Sequence, residues 1–549
     1  MTATTASRGH SRFAPARASW RRLTVLVSLL LLGWAALLPA ERAPQWWHYV
    51  AAVVVILAFV GSWHGQHVST AAARWTPMAW HNRRQRSRRA SGPQNRRRRD
   101  EQALQSQRPA TTRAGALQAQ IVIHLRSHPH ALTTPDDHSD QLPWEFITAW
   151  LNRYGVCADA LTVCSMTRTP PASALRSDSA ALLGGRNTQH HDTWLTYTLR
   201  AENNVGALTA RKTTMGAPAG TGSEDQAPGP RRAALADTTA RRLMAELRER
   251  GWLATLSDVA EQLPQFVPPT VTVRRETWTG TEYSDGFRAA YAVEPGALPD
   301  VLEALPTLNT KATWVAVTVR SRGRQPATIK AAVGTLTAVR PSRHPLPGLD
   351  GFHGLHRRIA PGLSANGLDE ANVDLPATEV TSSDLAQLRW PTAAVGVPIG
   401  FNRARQPVYL GLASPEPVRI TVTGAPEFHR GIIGRLALSG MPVALYTADP
   451  RQWVALANHA GPQQFSMRPA TPPPEAIVVS DGSSETPAGA ITVTLRRPQS
   501  AQAPSTTIVI TQDDRHADLF YITTAHGLQW LSTRLLAGSR LVSEVRCPC

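Results

Sequence analysis

Two apolar stretches near the N-terminus stand out from the hydrophobic pattern of this 549-residue chain. Leu23–Leu38 and Trp46–Val60 contain no charged residue, and a short turn with two prolines separates them. With their flanks, each stretch has 18 residues (23–40 and 46–63). A helix of that length rises about 1.5 Å per residue and just crosses a bilayer core of roughly 30 Å. The pattern predicts a two-helix transmembrane hairpin over residues 23–63.

Arginines on the outer flanks of these stretches indicate which side of the membrane the flanks occupy. They are Arg8, Arg12, Arg17, Arg21 and Arg22 before the first stretch, and Arg74, Arg83, Arg84, Arg86, Arg88, Arg89 and Arg96–Arg99 after the second. Because positive residues concentrate on the cytoplasmic side, the sequence predicts a two-pass protein of the inner (cell) membrane with both termini in the cytoplasm. The alternative is a signal peptide cleaved near Leu38-Pro39-Ala40 and followed by a buried helix.

The net charge is divided unevenly along the chain. Residues 1–99 hold 16 arginines and one acidic residue, Glu41, and so carry +15 of the formal charge of +18. We interpret residues 1–22 as a basic cytoplasmic N-terminus and residues 64–116 as a basic juxtamembrane tether, whose arginines can hold anionic lipid headgroups at about 1 kcal/mol each. The nearly neutral remainder argues against a nucleic-acid-binding domain. Nucleic-acid binding by Arg83–Arg99 alone is the alternative.

Beyond residue 116 the pattern changes to alternating strands and helices. Alternation with a period of two predicts strands, and apolar residues three or four apart predict helices. The main predicted elements are strands Ala119–Arg126, Ala160–Thr167, Thr193–Arg200, Gly286–Val293 and Thr313–Arg320, and helices Leu142–Tyr154, Ala233–Arg250 and Leu298–Leu305. They predict a cytoplasmic α/β domain over residues 117–340.

A Pro/Gly-rich connection, Arg340–Gly354, predicts a boundary to a second cytoplasmic α/β domain over residues 355–549. Its main predicted elements are strands Pro407–Leu412, Val418–Gly424, Val443–Thr447, Ile477–Val479, Ala490–Leu495 and Thr507–Ile510, and helix His429–Leu438. Strand, glycine turn, helix and strand follow one another as in a βαβ crossover. The predicted fold class is therefore α/β, with the transmembrane hairpin followed by a cytoplasmic body of two or three α/β units.

One strand sequence recurs in the first predicted domain. Thr313–Arg320 repeats the order of Thr193–Arg200, namely Thr, Trp, an apolar residue, two further residues, Thr, an apolar residue and Arg. The recurrence suggests a duplicated α/β module, but eight residues are too few to favour it over chance recurrence. The alternative is that a common strand pattern arose twice.

Candidate positions for chemistry are few. The turn Val422–Pro426 follows a predicted strand, where a phosphate loop would lie, but none of the three lysines in the chain follows a glycine, so a Walker A lysine is lacking. Adjacent acidic pairs occur at Asp136-Asp137, Asp369-Glu370 and Asp513-Asp514. Cys157 and Cys164 match no zinc spacing. We predict no catalytic residue, no cofactor-binding residue and no metal ligand, and hence a protein that is not an enzyme.

Several stretches resemble the EccE family, membrane components of actinobacterial type VII (ESX) secretion systems. They are Asp192–Arg200, Arg211-Lys212, and the helix with Arg241-Arg242, Leu243, Leu247 and Gly251 in the central part, and Gly396–Gly400, Gln406–Val408, Arg419, Gly424, Arg435, Leu438 and Pro442-Val443 in the C-terminal part. The resemblance spans most of residues 20–525. The long Arg86–Arg99 tract and the Cys547–Cys549 tail depart from it.

The resemblance implies a structural membrane subunit that assembles with EccB, EccC and EccD and supports protein export across the inner membrane. The resemblance also implies that EccC is the ATPase of the complex and EccD a polytopic membrane partner. The lack of a Walker A lysine in this chain agrees with energy for export supplied by another subunit. Two alternatives remain open. One is a membrane-tethered glycosyltransferase-like enzyme with a metal at Asp513-Asp514. The other is a regulatory module that binds a cytoplasmic ligand at the Gly424 turn.

Overall fold

The computed structural model describes most of the chain between residues 66 and 533 and a few residues before them. The described residues are 13–15, 28, 33, 46, 49–50, 61–63, 66–90, 112–114, 118–126, 130–134, 141–169, 173–182, 190–214, 228–257, 265–268, 271–321, 326–365, 367–368, 373–390, 396–412, 417–462, 464–473, 476–482, 487, 489–497 and 507–533. No helix among them is both long and apolar enough to cross a membrane. Most of the predicted hairpin, two acidic pairs (Asp136-Asp137, Asp369-Glu370) and the Cys547–Cys549 tail lie outside these ranges.

Three short strands bring the outer flanks of the two apolar stretches together. Phe13–Pro15 pairs antiparallel with Gly61–Trp63, and Gly61–Trp63 pairs in turn with Gln66–His67. The ends of the intervening segment, residues 16–60, therefore meet. Gly61–Trp63, which the hydrophobic pattern places at the end of the second span, is extended rather than helical.

The larger of the two main sheets is antiparallel throughout. In spatial order its strands are Leu253–Leu256, Gln118–Arg126, His190–Arg200, Ala160–Arg168, Ala312–Arg320, Ala327–Thr337, Gly286–Val293, Gly280–Tyr283 and Val273–Thr277. Three short strands pair with members of this path, namely Thr112–Ala114, Leu349–Gly351 and Thr378–Val380. We call this sheet with its helices the first body.

Two copies of one topology build the first body. In chain order the first copy runs through strand Gln118–Arg126, helix Trp144–Ala149, strands Ala160–Arg168 and His190–Arg200, helix Pro228–Glu249 and strand Leu253–Leu256. This βαββαβ order, with its fourth strand beside the first, is ferredoxin-like. The second copy has strands Gly286–Val293, Ala312–Arg320, Ala327–Thr337 and Leu349–Gly351, with helix Leu298–Ala304 after its first strand. It joins its last two strands without a helix.

The two copies meet at their second strands, Ala160–Arg168 and Ala312–Arg320, which pair antiparallel. Thr162 and Thr318 face each other across this junction, with their hydroxyl oxygens 2.8 Å apart. The topology therefore contains a duplicated module. The recurring strand sequence does not mark it, because Thr193–Arg200 belongs to the third strand of its copy and the matching segment to the second strand of the other.

The helices of the first body cover one face of its sheet. Leu235, Leu243 and Leu247 of helix Pro228–Glu249 are buried in this core, which also contains the tryptophans Trp144, Trp150, Trp252 and Trp390. The opposite face is covered over strands of both copies by buried residues of the segment 352–375. The described residues of 355–390, which the Pro/Gly-rich connection assigns to the second domain, therefore pack on the first sheet. The prolines and glycines of 340–354 form turns around strand Leu349–Gly351.

The second main sheet is parallel in its first part and antiparallel in its second. The parallel strands, in spatial order, are Phe465–Met467, Val443–Tyr446, Ile477–Ser480, Ile491–Arg496, Val418–Thr423 and Ile508–Gln512, and the antiparallel strands that follow are Leu519–Thr524, Gly527–Ser532, Val397–Phe401, Pro407–Leu410 and Leu132–Thr133. Helices Pro426–Ala437 and Val454–Ala460 pack on this sheet. The predicted βαβ crossover around Gly424 is confirmed, and the fold as described is mixed α/β.

The remaining helical and strand elements are short, apart from one long helix before the first body. They are helices Val68–Ala90, Ala174–Leu182, Val205–Thr214, His356–Ile359 and Ser382–Ala386, the 3₁₀ turns Pro295–Ala297, Leu305–Thr307, Ala360–Leu363 and Pro450–Trp453, and the paired strands Asn152–Arg153 and Val156–Cys157.

We call the second main sheet with its helices the second body. Two segments of the first body contact it. Leu132–Thr133 adds an edge strand to the second sheet. Helix Ala174–Leu182 places Leu175 in the second core and Asp178 Oδ2 within 2.9 Å of His459 Nε2. The two bodies are therefore joined by a strand pairing and a helix contact as well as by the chain between them.

Candidate functional site

The carboxyl edge of the parallel strands in the second sheet is a candidate ligand site, because open α/β sheets bind ligands at that edge. Strand Val418–Thr423 ends at this edge and helix Pro426–Ala437 begins after it, so only Gly424 and Ala425 lie between them. The backbone amide of Ala425 donates to Gln512 Oε1 at 2.8 Å. A linker of two residues is too short to encircle a phosphate, and both of its amides are already used, since that of Gly424 donates to the carbonyl of Arg496 at 3.1 Å.

Side chains of the same body occupy the remaining space at this turn. A Cβ at Gly424 would lie 2.6 Å from a ring carbon of Phe428 and 2.7 Å from Gln512 Oε1. His429 Nε2 donates to the carbonyl of Arg496 at 3.0 Å, and burial lowers the pKa of His429. The turn Val422–Pro426, where the sequence would place a phosphate loop, is thus a tight turn whose space is filled by side chains of the second body.

Replacing Gly424 with alanine is expected to destabilise the second body by about 1–3 kcal/mol, because the added methyl group overlaps Phe428 and Gln512. Gly431 lies in the following helix, where a Cβ would have open space, with no atom of the described neighbouring residues within 4 Å. Its replacement with alanine is expected to stabilise that helix by roughly 0.5–1 kcal/mol. Thermal unfolding of the two variants measures both changes, and a Gly424→Ala variant as stable as wild type would contradict the packed turn.

Two carboxylates at this edge, Asp513 and Asp481, are engaged by neighbouring groups, while Asp514 is exposed. Asp513 Oδ2 accepts from the backbone amide of His516 at 3.0 Å and lies 2.9 Å from its Nδ1, and the hydrogen bond from His516 lowers the pKa of Asp513. Asp481 Oδ2 accepts from Thr447 Oγ1 at 2.7 Å and from the amide of Ala448 at 2.9 Å. Across the described residues no three His, Cys, Asp or Glu side chains are grouped to hold a metal ion.

The described cysteines do not form a reactive pair. Cys164 is buried in the first sheet, and burial raises the pKa of its thiol to about 12. Cys157 is half-buried and lies in the short hairpin beside helix Trp144–Ala149. Both are free thiols. A thiol held protonated at physiological pH is a poor nucleophile and a poor metal ligand.

The end of the segment Asp192–Arg200 is held by a buried carboxylate. Asp159 Oδ2 accepts from the backbone amide of Arg200 at 2.6 Å, and its Oδ1 accepts from Asn203 Nδ2 at 2.6 Å. Burial raises the pKa of Asp159, against the effect of these hydrogen bonds. This part of the resemblance therefore corresponds to a strand and to the structural turn that fixes its end.

Arg435 connects three parts of the second body. Its Nη1 donates to the carbonyl of Ile399 at 3.0 Å and its Nη2 to the carbonyl of Thr533 at 3.2 Å. The pairing of strand Val397–Phe401 with its neighbour shifts register between Pro398 and Gly400, so Ile399 is the extra residue of a bulge. Burial lowers the pKa of Arg435 to about 10. Gly396–Gly400 and Arg435 both belong to the stretches that resemble the EccE family. They are distant in the sequence but contact each other in the fold.

Helix Val68–Ala90 lies along the edge strand Val273–Thr277 of the first body. Asn82 Nδ2 donates to the carbonyl of Glu276 at 2.8 Å, and the amide of Glu276 donates to Asn82 Oδ1 at 2.9 Å. The Asn82 side chain therefore satisfies the strand edge as another strand would. Ala71 and Met78 are buried on the same side of the helix. This part of the basic tether is a docked helix.

Comparison with known proteins points in the same direction as the resemblance of the motifs. The chain is 28% identical over 275 residues to the ESX-3 secretion system protein EccE3 of Mycobacterium tuberculosis strain H37Rv. The aligned region covers 48% of this chain and 69% of the relative. The EccE3 protein of strain CDC 1551 matches with the same identity and coverage. No family model matches the chain. The chain is thus similar to a component of a type VII secretion system over about half of its length.

Proposed function

We propose that this chain is an EccE-like subunit of a type VII (ESX) protein secretion complex, with a structural role and no catalysis of its own. The observation that carries the proposal is the similarity to EccE3 over 275 residues. The junction of Arg435 with Gly396–Gly400 supports it, because residues shared with the family by resemblance form one contact in the fold. In this proposal the two bodies act as a rigid cytoplasmic brace.

The proposal includes a two-pass anchor in the inner membrane. Its support is the length and apolarity of the two N-terminal stretches and the pairing of Phe13–Pro15 with Gly61–Trp63. Paired strands lie on the same side of a membrane, so the segments before the first stretch and after the second would share one side. The arginines of both flanks assign that side to the cytoplasm.

The proposed partners are EccB-, EccC- and EccD-like membrane subunits, with the energy for export supplied by an EccC-like ATPase. The packing of Gln512 and Phe428 around Gly424 supports a subunit that does not itself bind a nucleotide at this turn. The alternative of a metal-dependent glycosyltransferase is less well supported, because His516 already engages Asp513. Nucleic acid is not among the proposed partners.

Deleting the gene for this chain from its host tests the proposed role in export. We expect a set of proteins to disappear from the culture medium and to accumulate in the cells, as measured by mass spectrometry of both fractions. Reintroducing the wild-type chain should restore their export. An unchanged set of exported proteins in the deletion strain would contradict the proposal.

A further inference from the structure

The outward side of helix Val68–Ala90 combines aromatic and basic residues. Trp75 and Trp80 are 55% and 59% exposed, and Arg83, Arg84 and Arg86 are exposed on the turns that follow. With about 100° of rotation per residue, Trp80, Arg83 and Arg84 lie roughly 120–180° around the helix from Ala71, which faces the first body together with Met78. Trp75 and Arg86 lie only about 40–60° from Ala71, on a flank of the helix. The Arg84 guanidinium lies 5.0 Å from the centre of the Trp80 ring.

Arginines from two other elements extend this surface. The contact of His81 with Arg357 and that of Asn82 with Glu276 place helix His356–Ile359 and strand Val273–Thr277 beside the long helix. We define the basic face as Trp80 and the exposed arginines Arg83, Arg84, Arg275, Arg357 and Arg358. Carboxylates on the same edge strands are Glu276, which is buried, and Glu282, whose Oε1 lies 3.9 Å from Arg274. The face is therefore strongly positive.

The start of the long helix is close to the apolar N-terminal segment. Seven residues separate Val60 from Val68, which at about 3.5 Å per residue reach at most ~25 Å. They do not run straight, because Gly61–Trp63 and Gln66–His67 pair antiparallel. If the apolar stretches enter a bilayer, as the proposed function holds, the basic face begins within a short distance of the lipid headgroups.

We propose that the basic face lies against the anionic headgroups of the cytoplasmic leaflet and fixes the orientation of the first body on the membrane. This proposal rests on the membrane anchor of the proposed function. Tryptophan rings favour the boundary between headgroups and acyl chains, and arginines bind the phosphates of anionic lipids. Charge complementarity thus favours a lipid surface, and Trp80 favours a surface with an apolar layer beneath its charges.

Hydroxyl-radical footprinting of the full chain tests this proposal. The purified chain is reconstituted in nanodiscs of phosphatidylcholine alone and of phosphatidylcholine with phosphatidylglycerol, and oxidation of each tryptophan is measured by mass spectrometry. We expect oxidation of Trp80 to fall severalfold in the anionic discs relative to the neutral ones. Trp530, 46% exposed on the second body, serves as the internal control and should not change.

Charge variants separate a specific contact from a general effect of net charge. Arg83→Glu combined with Arg84→Glu should restore oxidation in the anionic discs to the level in the neutral discs. Arg451→Glu combined with Arg515→Glu changes the net charge equally at exposed positions of the second body and should leave the protection intact. Melting temperatures of both double variants confirm that they remain folded.

Three outcomes would overturn the proposal. Equal oxidation of Trp80 in both kinds of disc would show that the basic face does not touch lipid, while leaving the secretion-subunit proposal standing. Protection that arises only in the assembled complex would assign the face to a protein partner. A chain that does not enter either disc would refute the membrane anchor together with the lipid contact.

Discussion

Replacing Arg435 with methionine is expected to destabilise the second body by about 3 kcal/mol. The change leaves the carbonyls of Ile399 and Thr533 without their donor in a largely buried position, and an unsatisfied buried acceptor costs roughly 1–3 kcal/mol. Hydrogen exchange of the full chain measures this locally. We expect amides of helix Pro426–Ala437 and strand Val397–Phe401 to exchange about 100-fold faster, since each 1.4 kcal/mol is a factor of ten.

Arg430 in the same helix provides the matched control. Its Nη2 lies 3.1 Å from Glu427 Oε1, but the Glu427 side chain is 76% exposed, and exposed ion pairs contribute roughly 0–1 kcal/mol. Arg430→Met should therefore leave the exchange rates of both elements within a factor of about five. Equal exchange in the Arg430→Met and Arg435→Met variants would show that Arg435 does not hold the junction.

Lowering the pH from 6.5 towards 3 is expected to destabilise the first body steeply, with His356 as a main cause. His356 Nδ1 accepts from the amide of Ala290 at 3.1 Å, so its Nε2 carries the proton and donates to the carbonyl of Trp278 at 3.2 Å. Burial lowers the pKa of His356 to about 3, whereas in the unfolded chain the pKa is about 6.5. Between these values the unfolded chain binds the extra proton, so stability falls as the pH falls, by about 1.4 kcal/mol per pH unit.

The variant His356→Gln isolates this contribution. Glutamine offers an amide oxygen for Ala290 and an amide donor for Trp278, but it does not titrate. Denaturant unfolding of the wild type and the variant between pH 4 and 6.5 should give a shallower pH dependence in the variant, by about 1 kcal/mol per pH unit. Identical slopes would show that the imidazole of His356 is not held neutral in the fold.

Elements with a strong local period were predictable from the sequence. Strand Gly286–Val293 has the predicted bounds, and helix Pro228–Glu249 differs from the predicted Ala233–Arg250 by a few residues. Their patterns are set by neighbours along the chain. Helix Leu142–Tyr154, in contrast, ends at Ala149. Trp150 and Leu151 continue its apolar pattern, but a hairpin with φ of 56° at Tyr154 follows them.

Long-range contacts explain why the rest was not predictable. The oxygen that fills the Gly424 turn comes from Gln512, 87 residues beyond Ala425, and the acceptors of Arg435 lie before and after it at Ile399 and Thr533. No local pattern connects such positions. The basic face shows the same limit. The arginine tract in the sequence indicates that the long helix is basic, but no local pattern places Arg275, Arg357 and Arg358 beside that helix.

The most direct test of the secretion-subunit account is the size and composition of the assembly that contains this chain. Membranes of a host strain carrying the tagged chain are solubilised gently, separated on a native gel, and the tagged band is identified by mass spectrometry. The account predicts a large assembly that contains an FtsK-type ATPase and a polytopic membrane protein. A band of monomer or dimer size without these partners would contradict it.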